Sequence, residues 1–197
     1  MNRDGLGLGR RDEPLTELGQ RQGAEAVTSL ATRAIGGVYS SPLSRARMAA
    51  QRLARERGVE LVVEDALTEM DVGETEGLPL AEMRRRFPEF IDRWRGADAV
   101  AVPMPGGESL EDVWRRLDAV VEAVEGEKRD EVAIVSHNFV IRLLLCRWLG
   151  LPPERFRSFH VDLASITTID VGSPVATIVR LNDTCHLQLL ESSVNQP

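Results

Sequence analysis

The chain has 197 residues, 43% hydrophobic and 28% charged, which is typical of one globular domain large enough to bury a core. Its formal net charge of −7 argues against a general nucleic-acid binder, because such proteins present a basic face. The two cysteines lie far apart and form no Cys-x-x-Cys pair, so we expect a reducing, cytoplasmic location. No stretch is long and apolar enough to suggest a membrane partner.

The first third of the chain alternates helices and strands. Its predicted elements are a loop over residues 1–15, a helix over 16–32, a strand over 35–40, a helix from about 43 to 57 and a strand over 61–63. Thr16 is the expected N-cap of the first helix, and Gly58 ends the second as a C-terminal glycine does. This alternation indicates an α/β fold.

The rest of the chain continues the pattern. Its predicted elements are a loop over 67–78, helical segments over about 79–95 interrupted near Pro88, a loop over 103–107, a helix over 109–125, a strand over 132–135, a helix over about 139–149 and strands over 165–171 and 175–181. The strand at 132–135 is wholly apolar, which predicts a parallel strand covered on both faces. The last two strands predict an antiparallel hairpin at or near a sheet edge. We therefore expect residues 1–197 to form a single three-layer α/β/α sandwich with a mostly parallel sheet.

Functional groups in such a sheet are expected at the carboxyl ends of the strands. Arg45 falls in the first helical turn after the strand at 35–40, where free N–H groups and an arginine make an anion pocket. His137 directly follows the apolar strand and is predicted to project at the same edge. The alternatives are a solvated arginine on a capped helix and a structural, hydrogen-bonding histidine.

Two loops carry further polar groups. The loop over 67–77 holds four carboxylates, one of which would serve as a general acid, although a solvated acidic loop has the same composition. The segment from Pro105 to Ser109 places glycines before a helix, where Glu108 or Ser109 would act only as a cap. No HxH, HExxH or DxDxDG pattern occurs, and we expect neither a metal nor another cofactor.

The order of these segments is more specific than any one of them. The segments that matter are Asn2 with Gly9, then residues 12–20, 40–46, 67–77, 105–109, 135–137 and 182–187. In that order they resemble the histidine phosphatase superfamily, which includes the cofactor-dependent phosphoglycerate mutases. The short middle region is more similar to the small bacterial phosphatases and mutase-like members than to the longer glycolytic mutases.

The resemblance implies a phosphoglycerate mutase-like fold and a metal-independent, histidine acid phosphatase-type activity. In such enzymes the histidine of an Arg-His-Gly motif attacks the phosphoryl group, and a glutamate protonates the departing oxygen and then activates water. Guanidinium and imidazolium groups hold the phosphoryl oxygens and supply the positive charge. The implied partner is a small phosphorylated metabolite rather than nucleic acid or a membrane, and a homodimer is compatible with the family.

Site residues follow from the resemblance one by one. Arg45 matches the arginine that clamps the phosphate, Glu69 the proton donor and acceptor, and His137 the second histidine. The remaining substrate-binding positions that the resemblance implies are Asn2, Leu8, Gly9 and the backbone N–H of Asn138, which replaces the usual glycine.

One element of the family pattern is missing from the chain. No Arg-His-Gly occurs, although the motif belongs at the end of the family's first strand, just before the position matched by Asn2. About a dozen residues are unmatched, and their loss should leave a trough in the sheet with unpaired backbone groups on two neighbouring strands. Three hypotheses follow: a phosphatase whose natural chain begins upstream of Met1, a non-catalytic phosphate-binding protein, and a phosphoglycerate mutase.

Overall fold

The computed structural model describes residues 6–96, 98–129, 131–172, 175–188 and 190. The strands are β1 (Gly37–Ser40), β2 (Leu61–Val63), β3 (Val132–Val135), β4 (Ile166–Asp170) and β5 (Thr177–Asp183). The helices are α1 (Glu17–Ser29), α2 (Ser44–Arg57), α3 (Leu80–Arg86), α4 (Pro88–Arg95), α5 (Leu110–Arg116), α6 (Asp118–Glu125) and α7 (Asn138–Trp148). The predicted elements are thus present in the predicted order.

Local signals in the sequence fix several helix ends. The Thr16 hydroxyl accepts a hydrogen bond from the Gly19 N–H at 3.1 Å and caps α1 as predicted. Gly58 ends α2 with a φ of 65°, a left-handed conformation that glycine adopts without a Cβ clash. Ser109 and Asp112 form a reciprocal capping box at the start of α5, so Ser109 is the cap and Glu108 is free for another role.

The helical region after residue 109 differs from its prediction. One helix was expected over 109–125, but the structure breaks it between α5 and α6 at Leu117. The Leu117 N–H is shared between the carbonyls of Val113 and Trp114, both at 3.3 Å, so the regular hydrogen-bond ladder is interrupted there. Residues of both α5 and α6 pack in the same core, so the two helices lie on the same side of the sheet.

The central sheet has the order β2-β1-β3, and its strands are parallel. Successive residues point to opposite faces: Val38 packs in a core with α1 and α2, whereas Tyr39 packs in a second core with α5, α6 and α7. The same alternation places Ala133 and Val135 on the first face and Val132 and Ile134 on the second. Helices on both faces give the predicted three-layer α/β/α arrangement.

The sheet is divided into two parts. Strands β4 and β5 pair antiparallel, as predicted, but they form a separate sheet that no hydrogen bond joins to β3 within the described residues. Ile169 of β4 nevertheless packs against the same core as Ile134 of β3. The two sheets therefore share one core without pairing among the described residues.

The environment of β3 corrects one prediction. Its four apolar residues were expected to be fully buried, but all four are only half-buried. The reason is its position: among the described residues β3 pairs with β1 alone, so its other edge has no strand beside it.

Helix α7 follows β3 directly and lies deep in the larger core. Its buried residues include Val140, the run Leu143–Leu145 and Cys146. Burial raises the pKa of the Cys146 thiol to about 11, which makes it a poor nucleophile at neutral pH. In the part of the chain that the structure describes, neither α7 nor another helix has the length and apolar character needed to cross a membrane.

Candidate active site

The ends of β1 and β3 bring two polar residues together. Ser40 and Val135 are partners in the parallel register, so the residues that follow each strand emerge side by side. The His137 Nε2 lies 2.8 Å from the Ser41 hydroxyl, and both side chains are buried, His137 with 8% exposed. The predicted convergence at the carboxyl edge of the sheet is therefore present, and Ser41 fixes the orientation of the imidazole.

Glu69 comes to the same place from the acidic loop. Its side chain is 4% exposed, and its carboxylate accepts hydrogen bonds from the N–H groups of Met70 at 2.9 Å and Phe139 at 3.4 Å. Because Phe139 is two residues after His137, the second contact ties the loop to the end of β3. Glu69 is thus a buried group of the site, and the alternative of a solvated acidic loop does not apply to it.

Arg45 contacts the segment that precedes α1. Its two terminal nitrogens donate to the carbonyl oxygens of Gly9 at 2.6 Å and Arg11 at 2.7 Å. The Glu76 carboxylate accepts the N–H groups of the same two residues, at 2.8 and 2.9 Å. A Cβ on Gly9 would lie 2.8 Å from the Met70 carbonyl oxygen, so only glycine permits this approach. Gly9 therefore lies directly against the Arg45 guanidinium.

The N-terminus of α2 corrects another expectation. The sequence predicted free N–H groups there as part of an anion pocket. Instead, the Asp12 carboxylate accepts both the N–H and the hydroxyl of Ser44 at 2.7 Å, and these bonds hold the pKa of Asp12 below its ordinary value. The Ser44 N–H is therefore satisfied within the chain, and the Arg45 guanidinium is the positive charge beside this helix end.

The other predicted site residues differ in what they contribute. The Asn138 side chain donates to the Val161 carbonyl at 3.0 Å and accepts from Arg142 at 3.0 Å, so its amide serves the structure. Its backbone N–H begins α7, and its role toward phosphate stays a prediction. Leu8 is half-buried next to Gly9, and Asn2 lies outside the described residues.

Burial sets the protonation states of the two central groups. It raises the pKa of Glu69 against the opposing effect of the Met70 and Phe139 N–H groups, Arg45 and Arg116. It also lowers the pKa of His137 to about 3, with Arg45 and Arg116 acting in the same direction. The resemblance implied an imidazolium, but the surroundings favour a neutral imidazole, which a bound phosphoryl dianion would help to protonate.

These opposite pKa shifts make a prediction about stability. Glu69, with its raised pKa, keeps its proton in the folded state above its ordinary value of 4.5, so it lowers stability as the pH rises. His137, with its lowered pKa, stays neutral in the folded state below its ordinary value of 6.5, so it lowers stability as the pH falls. Between pH 4.5 and 6.5 the two slopes oppose each other, each at most about 1.4 kcal/mol per pH unit. We expect His137→Gln to become less stable as the pH rises and Glu69→Gln to become more stable.

Urea unfolding at several pH values in this window measures the slopes. His160→Gln is the matched control for the chemical change, because the His160 side chain is 79% exposed. Equal slopes for the wild type, His137→Gln and Glu69→Gln would contradict the assignment of buried, oppositely shifted groups.

The sequence missed two residues that contact the Glu69 loop. Arg116 donates to backbone carbonyls of this loop, and Glu108 pairs with Arg116. Nothing in the sequence distinguishes Arg116 from its neighbour Arg115, which pairs with surface carboxylates. The sequence predicted Glu108 only as a possible helix cap, not as a partner of Arg116.

Comparison with known proteins places this site in a family. The family model described as "Histidine phosphatase superfamily (branch 1)" matches residues 1–184. Phosphoserine phosphatase 1 of Hydrogenobacter thermophilus is 33% identical over 180 residues, which cover 91% of this chain and 85% of that protein. A probable phosphoglycerate mutase of Yersinia enterocolitica is 28% identical over 92% of this chain and 86% of its own length. The solved α-ribazole phosphatase of Shigella flexneri superposes with a TM-score of 0.82 at 28% identity, covering 92% of this chain and 90% of its own. The chain belongs to the histidine phosphatase superfamily.

Proposed function

We propose that this site hydrolyses phosphomonoesters without a metal ion, through a phosphohistidine intermediate. The observation that carries the proposal is the convergence of the Arg45 guanidinium, the buried Glu69 carboxyl and the His137 imidazole at one sheet edge. A guanidinium and an imidazole suit a phosphoryl dianion, and a buried, protonated carboxyl suits a leaving oxygen.

The nucleophile in this proposal comes from a strand that ends in Arg-His-Gly, which the 197 residues do not contain. Among the described residues no strand pairs with the second edge of β3, which supports a place for it beside β3. A strand parallel to β3 would end at the same edge as His137, so residues after it would reach Arg45 and Glu69. The half-buried apolar residues of β3 would gain cover from such a strand.

The proposed reaction has two displacements. The nucleophilic imidazole forms a bond to phosphorus while the bond to the leaving oxygen breaks, and the Glu69 proton passes to that oxygen. The Glu69 carboxylate then takes a proton from water, whose oxygen attacks phosphorus and breaks the P–N bond. Arg45 and His137 hold the equatorial phosphoryl oxygens in both steps. Phosphate leaves, and Glu69 is again protonated.

The substrate in this proposal is a small phosphorylated metabolite. The resemblance to a phosphoserine phosphatase and to an α-ribazole phosphatase favours hydrolysis, while the resemblance to a probable phosphoglycerate mutase keeps phosphoryl transfer as the alternative. Both cysteines are free thiols, which supports a cytoplasmic location. A homodimer remains part of the proposal.

A non-catalytic phosphate-binding protein is the second candidate function. The observation that favours it is the absence of Arg-His-Gly from a chain that retains Arg45 and His137. It predicts anion binding without turnover in every form of the protein.

Trapping of the intermediate tests the proposed function. The protein would carry a strand of about a dozen residues ending in Arg-His-Gly ahead of Met1. It would be incubated with a ³²P-labelled phosphomonoester in EDTA and denatured. We expect protein-bound label that is stable to alkali and labile to acid, as a phosphoramidate is, and release of inorganic phosphate rather than transfer to a phosphoglycerate. A requirement for added metal, or turnover without labelled protein, would contradict the proposal.

A further inference from the structure

Arg116 of α5 holds the loop that carries Glu69. Its guanidinium donates to the carbonyl oxygens of Ala66, Thr68 (2.7 Å) and Glu69 (3.4 Å). The side chain is 19% exposed, so these are largely desolvated, charge-assisted bonds. One rigid, planar group thus fixes three carbonyls within four residues, which no lysine could reproduce.

Glu108 holds Arg116 and the far end of the same loop. Its carboxylate accepts from Arg116 Nε and Nη2, both at 3.3 Å, and from the Asp71 N–H at 2.9 Å. Arg10 also donates to this carboxylate at 2.8 Å and reaches the Glu69 carbonyl at 3.4 Å. The backbone is therefore held on both sides of Glu69, at Thr68 by Arg116 and at Asp71 by Glu108.

From these contacts we infer that Arg116 and Glu108 are positioning residues, which set the place of the Glu69 carboxyl in the phosphate pocket. The inference rests on the proposed function of the site. Neither residue is expected to touch the reacting atoms. Their role follows from the geometry that an acid needs, since a displacement of about 1 Å costs up to about a hundredfold in a positioned reaction.

An ordinary surface ion pair is the alternative for Arg116. Such a pair contributes little to stability, and Arg115 of the same helix turn is an example, with a side chain 64% exposed. Arg116 differs because most of its N–H groups donate to backbone carbonyls of one loop. The fixed geometry of the guanidinium therefore restrains the position of that loop's backbone. Arg115 is therefore a matched control for Arg116.

The charged neighbours of the two titrating groups must be considered together. The side chains that face Glu69 or His137 are Arg10 and Asp12 from the N-terminal segment, Arg45 from α2, Glu108 before α5, Arg116 from α5 and Arg142 from α7. Arg116 lowers the pKa of both Glu69 and His137. Loss of its charge should raise the pKa of both groups, so that each keeps its proton to a higher pH.

Sulfate binding measured by calorimetry between pH 4.5 and 8.5 tests the inference on the 197-residue chain. Sulfate keeps its double charge across this range, so the pH dependence of its affinity reports on the protein. We expect the affinity of the wild type to fall as the pH rises, because deprotonation of the buried Glu69 carboxyl disfavours an anion.

The variants separate position from charge. Arg116→Lys keeps the positive charge but loses the paired guanidinium donors, so we expect about tenfold weaker sulfate binding. The sulfate affinity of this variant should still decrease at the same pH as that of the wild type. Arg116→Gln should bind sulfate more weakly than the wild type at low pH, and its sulfate affinity should decrease at a higher pH. Glu108→Gln should resemble Arg116→Lys, and Arg115→Gln should match the wild type. Circular dichroism checks that each variant is folded.

Two results would overturn the inference in distinguishable ways. If wild-type protein binds no sulfate at any pH, the phosphate pocket of the proposed function is contradicted, and the inference with it. If wild-type protein binds sulfate, and folded Arg116→Lys and Arg116→Gln keep both its affinity and its pH dependence, the inference alone is contradicted. A change confined to the melting temperature counts as the second result.

Discussion

The 197-residue chain by itself is expected to leave p-nitrophenyl phosphate unhydrolysed in EDTA. Arg45, Glu69 and His137 would bind and protonate a phosphomonoester, but the proposed nucleophile is not in the chain. Without it, the two easier displacements of covalent catalysis are replaced by direct attack of water. A strand ending in Arg-His-Gly ahead of Met1 is expected to raise the rate on the order of a million-fold, a change typical of whole catalytic units.

The matched control for this gain carries Arg-Asn-Gly in place of Arg-His-Gly. It should occupy the same place beside β3 and raise the melting temperature equally, yet leave the ester intact. A rise in stability without activity in both proteins would favour the non-catalytic candidate. Hydrolysis by the 197-residue chain that survives His137→Ala and stringent purification would contradict the assignment of the site.

Replacement of Glu69 is expected to have the next largest effect, and its size should depend on the leaving group. In the protein that carries the added strand, Glu69→Gln should slow formation of the phosphoenzyme from an alkyl phosphate by about 10²–10⁴-fold, because an alkoxide needs a proton as it leaves. The same step with p-nitrophenyl phosphate should change far less, because nitrophenolate leaves without a proton. Rapid mixing separates this step from the later hydrolysis.

Glu74→Gln is the control for Glu69→Gln. Glu74 lies in the same loop, but it is exposed. Glu74→Gln should leave the rate of phosphoenzyme formation unchanged with both substrates. If Glu69→Gln slowed phosphoenzyme formation equally for the alkyl and the aryl ester, Glu69 would not act as a general acid.

Much of the fold could be predicted because its determinants are local. The cap at Thr16, the left-handed glycine at Gly58 and the break at Pro88 each act within a few residues, and each appears where the sequence indicated. The positions of Arg45 and His137 also follow locally, since each stands just after a strand, and adjacent parallel strands end at one edge. Periodicity and turn chemistry were sufficient for these features.

The environment of β3 was not predictable in the same way. An apolar run indicates that a strand can be covered, but the cover comes from segments far away in the chain. The structure decides that β3 is half-buried, because β1 alone pairs with it among the described residues. The hydrogen bond from the Ser44 N–H to Asp12 was not predictable for the same reason, since the two residues are 32 positions apart in the chain.

The sequence alone determined the order of elements, the strand ends that carry Arg45 and His137, and the resemblance that singled out Glu69. Only the tertiary structure decided that Glu69 is buried beside the Phe139 N–H. It also decided that Arg116 and Glu108 form hydrogen bonds with the backbone of the Glu69 loop. The physical reason is the range of the forces involved. Helix caps and strand patterns act between neighbours in sequence, whereas burial, pKa shifts and forked hydrogen bonds depend on groups that only folding brings together.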